Sequence, residues 1–280
     1  MKISVLLSVY NKEKPEYLDK ALESITKQTL MPNEIVIIKD GIISEELEQV
    51  IEKYYNKYSK IIRVFGIEQH NGLGLALRFG VEKCKYEYIA RMDSDDYYTE
   101  NRLEEQCKYL KRNMDIDVLG AYVDEYDENL KIKLSTKTVP LDDRKIKKAI
   151  KVFNPINHGT TIIRKSKLLE SGNYRNILIE DYDLWIRMIL KNCKFANIPI
   201  VVSKNRTGIR MYKKRSGKEY IKAIMQIENI LLKYRIINKL EYYINVITRK
   251  LLAKTPISMK YKIYPKIRKI KIFQEKNKND

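Results

Sequence analysis

Tyr88-Ile89-Ala90-Arg91-Met92-Asp93-Ser94-Asp95-Asp96 decides how the chain reads. An apolar, β-rich run ends abruptly in three carboxylates within four residues. Like charges that close are costly unless a cation neutralises them. Oxygen-only ligands favour a hard divalent ion, Mn²⁺ or Mg²⁺, and an Asp-x-Asp pair after a strand suits an ion shared with a diphosphate. The plainer reading is a solvated acidic turn that caps the next helix. Toward the N-terminus the same form recurs. Residues 3–10 and 34–39 are continuously apolar, as in buried parallel strands, and 61–65 predicts a third. Leu18, Ala21, Leu22 and Ile25 stand at helical spacing, Met31-Pro32-Asn33 breaks that helix, and further helices are expected over about 44–58 and 74–83. Four strand–helix alternations predict an α/β fold with a mostly parallel central sheet flanked by helices. Ligands in such sheets sit at the carboxyl ends of strands, and both Asp40 and Asp93–Asp96 fall at such ends. Asp40-Gly41 reads either as a plain turn or as a carboxylate offered to a base or ribose.

Downstream, helices are expected over 101–112, 142–151 and 180–191, with strands within 117–126, 131–138 and 159–164. Glu180-Asp181-x-Asp183 opens a helix, where acidic residues favour the dipole; the alternative is a general base at a site mouth. Trp185 is core or a sugar-stacking surface. His158 is a lone histidine in a polar loop, and His70 has no assigned role. Arg206, Arg210, Lys213, Lys214 and Arg215 form a basic loop that Gly208 and Gly217 would let move, either a solvated face or a cationic loop that closes over a diphosphate. Asn71-Gly72-Leu73-Gly74 is not a dinucleotide fingerprint, since Leu77 stands where the third glycine belongs, and no phosphate-loop motif occurs. Residues 8–14 lack glycine altogether, which argues against a nucleotidyltransferase.

The chain has 280 residues, 44% of them hydrophobic and 32% charged, which excludes a disordered polypeptide. Its net charge of +19 is unevenly placed. Residues 1–200 hold 33 Lys+Arg against 31 Asp+Glu, whereas 201–280 hold 22 against 5. A near-neutral body over 1–215 and a basic, amphipathic helical arm over 216–280 are therefore expected. The arm suits an acidic membrane surface, nucleic acid or a phosphorylated ligand. The three cysteines are too few and too scattered for a disulfide scaffold or a zinc site, so a reducing cytoplasm is the expected compartment. The N-terminus reads as a strand, not a signal peptide, and no apolar run is long enough to span a membrane.

The ordered set of motifs resembles bacterial family 2 glycosyltransferases of the surface-polysaccharide branch. It comprises residues 4–11; Gln28-Thr29-Leu30-x-Pro32-x-Glu34-Ile35 with Asp40; Asn71-x-x-Gly74-Leu75-Ala76; residues 89–96; Arg102-Leu103-x-x-Gln106; Asn157-His158-x-Thr160; Gly172-x-Tyr174; and Glu180-Asp181-Tyr182-Asp183-Leu184-Trp185-x-Arg187. The resemblance implies a GT-A fold and an inverting, metal-dependent transfer from a nucleotide-sugar donor, a UDP-sugar, to a saccharide acceptor, and the basic tail points to a lipid-linked one. It implies that Tyr10 and Asp40 hold the base and ribose. Asp93 would contact the ribose or the metal, and Asp95 would bind Mn²⁺ or Mg²⁺. Asp181 would be the general base, and His158 with Arg210, Lys214 and Arg215 would meet the departing diphosphate. Two positions depart from the family pattern. Arg78 stands where Asn is frequent and either reaches the diphosphate or faces solvent. Lys39-Asp40-Gly41 has one carboxylate fewer than usual. The arm is expected to hold the enzyme peripherally at the inner face of the cell membrane. No nucleic-acid partner is expected, and the rival reading is a basic nucleic-acid- or membrane-binding protein on an inactive scaffold.

Overall fold

The computed structural model describes residues 1–207, 217–256 and Met259. Its first half is β1 (Ile3–Val9), α1 (Pro15–Thr26), β2 (Glu34–Asp40), α2 (Glu45–Lys57), β3 (Ile62–Ile67), α3 (Leu73–Lys83) and β4 (Tyr88–Arg91). β1 pairs in parallel with β2 and β4, and β2 with β3. All four strands therefore end on one edge of the sheet. Their unbroken apolar runs follow from being covered on both faces. Val5, Leu7, Ile35 and Ile37 bury against α1 and α2, while Leu6, Val36 and Ile38 face Ala76, Leu77 and Val81 of α3. In α1 the expected stripe of Leu18, Ala21, Leu22 and Ile25 is buried, with Pro15 at the start where its missing N–H costs nothing. Each buried leucine contributes about 1.5–3 kcal/mol.

The second half comprises β5 (Tyr97–Tyr98), α4 (Arg102–Arg112), β6 (Val118–Tyr126), β7 (Lys133–Lys137), α5 (Asp143–Ala149), a 3₁₀ turn (His158–Thr160), β8 (Ile162–Arg164), α6 (Lys165–Glu170), α7 (Glu180–Leu190) and β9 (Phe195–Arg206). The sheet order is β3-β2-β1-β4-β8-β6-β9-β5. The parallel half passes into a mixed half at β8, which lies antiparallel between β4 and β6. β6 runs parallel to β9 and antiparallel to β7. The long strand β9 has no counterpart in the sequence reading.

Two helices close the described chain, α8 (Lys218–Lys233) and α9 (Lys239–Lys254). Ile227, Leu231 and Ile237 join the core cluster that contains Leu184, Trp185 and Met188 of α7. Asn238 starts α9 with a capping box completed by Glu241. Among the described residues no helix is long and apolar enough to cross a membrane.

Candidate active site

At the edge where β1–β4 end, three side chains assemble. Asp40, buried at the end of β2, accepts a hydrogen bond from the Asn71 amide at 2.9 Å and faces His70 Nδ1 at 2.8 Å. The His70 ring stacks on Tyr10, with centroids 5.7 Å apart and planes 22° apart. Gly41 makes the approach possible: its φ is +85° and a Cβ there would lie 2.9 Å from the His70 amide nitrogen. Tyr10 and Asp40 thus meet as expected, and His70 joins them through a contact no local pattern announces. The result is a flat aromatic surface beside a fixed carboxylate, suited to a base and its ribose.

The turn after β4 does not cap a helix, because β5 follows it. Asp93 pairs with the buried Arg91, and its amide donates to the hydroxyl of the buried Tyr98. Ser94 Oγ donates to Glu13 at 2.7 Å. Burial, with Asp93 and Glu13 close by, pushes the Asp95 carboxyl up to about 7. Asp96 accepts from the Arg206 amide at 3.0 Å, and the Arg206 guanidinium, 3.9 Å above the Tyr17 ring, donates to the Asp95 carbonyl. Asp96 is therefore the anchor to β9, while Asp93, paired with Arg91, and Asp95 line the turn beside it. Among the described residues no cluster of three or more His, Cys, Asp or Glu side chains holds a metal by itself. The two carboxylates of Asp93 and Asp95 are hard oxygen donors of the kind a divalent cation such as Mn²⁺ or Mg²⁺ takes.

The other wall is the start of α7. The Asp181 carboxylate accepts from Asn154 Nδ2 at 2.6 Å and from the Tyr182 amide at 2.8 Å. Burial raises its pKa against these two bonds. Burial and the Asp181 charge push Glu180 up to about 8. Asp183 is elsewhere engaged, paired with Arg187 at 2.8 Å in the interior. His158 bridges the two walls. Its Nε2 shares a hydrogen bond with Tyr174 Oη at 2.8 Å, and its Nδ1 lies 3.6 Å from Glu180. Burial and Arg91 hold it well below the usual histidine range, so it serves as a neutral hydrogen-bonding group. Next to His158 in sequence, Gly159 packs so closely on Asp93 that a Cβ there would stand 2.3 Å from Asp93 Oδ2. Trp185 is wholly buried, edge-on to His158 and Phe195, and is core.

Arg78 is exposed, and its guanidinium turns back to the Tyr174 carbonyl at 3.3 Å. Arg210, Lys214 and Arg215 lie outside the described residues. Sequence reasoning missed Arg91, the buried cation whose field reaches Asp93, Asp95, Asp96, Glu180 and Asp181. A lone arginine in an apolar strand was the available signal, since a buried cation requires partners. It also missed Glu13, Asn154 and Tyr174.

A family model described as glycosyl transferase family 2 matches residues 4–172. The chain is 37% identical over 267 residues to the amylovoran biosynthesis glycosyltransferase AmsE of Erwinia amylovora, covering 95% of this chain and 99% of that one. It is 34% identical, over 95% of its length and 96% of the relative, to an Escherichia coli UDP-Gal:alpha-D-GlcNAc-diphosphoundecaprenol beta-1,3-galactosyltransferase. Among solved structures, S. aureus TarS 1-349 in complex with UDP-GlcNAc superposes with a TM-score of 0.65 at 17% identity, covering 97% of this chain and 77% of that one. The mannosyltransferase PcManGT of Pyrobaculum calidifontis in complex with GDP-Man and Mn²⁺ gives 0.62 at 12% identity, over 95% and 73%. The fold is GT-A.

Proposed function

The chain belongs to glycosyl transferase family 2, and from that premise we propose that it moves a hexosyl group from a UDP-sugar to a lipid-linked saccharide, with inversion, during surface-polysaccharide assembly. The observation that carries the reading is the pairing of Asp93–Asp95 with Glu180–Asp181 on either side of His158-Gly159, above one buried arginine. Inverting transfer needs one wall that neutralises a diphosphate and an opposite wall that takes a proton. Tyr10, His70 and Asp40 receive the base and ribose. Asp93 and Asp95 would hold Mn²⁺ or Mg²⁺, which when bound neutralises the leaving diphosphate as a Lewis acid. Asp181, oriented by Asn154 and the Tyr182 amide, takes the proton of the acceptor hydroxyl as that oxygen attacks the anomeric carbon. The bond from that carbon to the diphosphate oxygen breaks in the same displacement, and the nucleoside diphosphate leaves with its electron pair. His158, its Nε2 held by Tyr174 Oη and its Nδ1 facing Glu180, lines the site beside the diphosphate, and Arg78, Arg210, Lys214 and Arg215 add charge to its surroundings.

The relative that acts on a diphosphoundecaprenol-linked sugar supports a lipid-linked acceptor. The 22 Lys+Arg against 5 Asp+Glu of residues 201–280 support peripheral residence on the cytoplasmic leaflet. The deciding experiment is thermal unfolding with UDP, GDP, CMP and dTDP, each with Mn²⁺ and with EDTA, on wild type and Asp95→Ala. Stabilisation by UDP that needs Mn²⁺ and disappears in Asp95→Ala is expected. Stabilisation that persists in EDTA, or in Asp95→Ala, overturns the metal assignment, and preference for another diphosphate overturns the donor.

A further inference from the structure

We propose that the outer face of α9 is a bilayer-docking face, which seats the enzyme on anionic lipid with the Asp181 wall beside the surface. Leu240, Tyr243, Ile244, Ile247 and Leu251 are 54–69% exposed, although each is a large apolar side chain. At 3.6 residues per turn they fall within an arc of about 100°. The helix is not short of a partner on its other side. Val246 and Ala253 are buried, Arg249 Nε pairs with the buried Glu228 at 2.7 Å, and Asn245 donates to the Lys151 carbonyl at 2.7 Å and to Glu228 at 3.0 Å. The apolar stripe is therefore a second face, beyond what folding uses.

Charge selects the occupant. Lys239 and Lys250 lie along one edge of the stripe, and Lys151, Arg235 and Lys239, with Glu241, line a cavity of about 400 Å³ at its N-terminal end. Residues 260–280 add eight Lys+Arg against two carboxylates. A second copy of this chain would bring like charge to like charge. An anionic leaflet neutralises it while the stripe enters the headgroup boundary. The inner face of the same helix reaches the base. Arg249 donates to the Val152 carbonyl at 2.9 Å and to Tyr182 Oη at 3.3 Å. Val152 lies two residues before Asn154, and Tyr182 one after Asp181. The inner side of the docking helix thus grips the two segments that carry Asn154 and Asp181. A saccharide on a membrane lipid is presented there. This use of the face rests on the transferase reading, whereas the docking itself does not.

The test compares the full chain with Ile244→Glu/Ile247→Glu in co-sedimentation with phosphatidylcholine–phosphatidylglycerol vesicles and with pure phosphatidylcholine vesicles. Binding of wild type to the anionic vesicles is expected, with a loss of at least about tenfold in the variant. Thermal unfolding and transfer to a water-soluble acceptor should be unchanged. In Tyr243→Trp, brominated lipid should quench the added emission, since Trp185 is interior. Equal sedimentation of wild type and variant overturns the proposal. So does a wild-type dimer in sedimentation velocity that the variant abolishes without any vesicle binding. Absence of transfer to the soluble acceptor by wild type would sink the transferase reading and leave the vesicle result to be read alone.

Discussion

Replacing Gly159 by alanine should disable the site while leaving the fold intact. The added Cβ would stand 2.3 Å from Asp93 Oδ2, and ordinary van der Waals contact begins at 3.4 Å, so something must retreat by about 1 Å. The backbone cannot easily give. The Gly159 carbonyl accepts from the buried Arg102 at 2.8 Å, and Thr160 Oγ1 is bonded to the Asn157 carbonyl at 2.7 Å and to the Ala121 amide at 3.0 Å. The Asp93 carboxylate gives instead and leaves its pair with Arg91. A misplacement of that size in a catalytic group costs about 10²-fold in rate, close to 2.7 kcal/mol of transition-state stabilisation.

Stability should behave differently. Gly159 lies outside the left-handed region, so alanine is sterically allowed there and restricts the unfolded chain, a gain of about 0.4–1 kcal/mol that offsets part of the local strain. The assay is kcat and the apparent Mn²⁺ affinity in sugar transfer, measured beside Tm. Expected is a kcat about a hundredfold lower with weakened Mn²⁺ affinity and a Tm shift of no more than a few degrees. Activity within about twofold of wild type would refute the placement of Asp93. A loss of activity matched by a large fall in Tm would refute the claim that the carboxylate, and not the fold, yields.

Three further outcomes are expected. Asp181→Asn should lower kcat by about 10²–10⁴ with the donor KM little changed, because the proton acceptor is lost and donor contacts are not. For Glu180, with a folded pKa of about 8 against 4.5, the folded state holds the proton more tightly. Its stabilisation is complete below about pH 4.5 and is lost as pH rises through about 8, a few kcal/mol at most. Tm should therefore fall between those limits, and Glu180→Gln should flatten the fall; an equally steep Tm profile in the variant would contradict the assignment. Trp185→Ala should cost about 3–5 kcal/mol in denaturant unfolding, since the ring is wholly buried against Phe195 and His158; a small loss would return the residue to the sugar-stacking role.

The edge proposed for the donor was legible because its signals are local. Strands β1, β2 and β4 are continuous apolar runs whose polar ends carry Tyr10, Asp40 and Asp93, so one parallel edge and its ligands can be read in a single pass. The acceptor side is assembled from distant pieces. β9 was missed because Asn197, Pro199, Ser203 and Lys204 interrupt its apolar pattern. It exists as a strand because β6 supplies a parallel partner, with two register shifts absorbing the irregularity. Arg206, at its end, then fixes the Asp93–Asp96 turn from 110 residues away. The same logic hid Asn154: nothing near an Asn-Pro step says that its amide will grip Asp181, 27 residues on. The two carboxylate pairs were recognisable as types able to line opposite walls of one cleft, but not for what joins those walls. What makes them walls is Arg91, and a charge inside an apolar strand can be interpreted only when the groups around it are known. Among the described residues it is a cation whose field touches both pairs, so its loss should raise the pKa of Asp95 and Asp181 together, whereas loss of Asn154 should raise that of Asp181 alone.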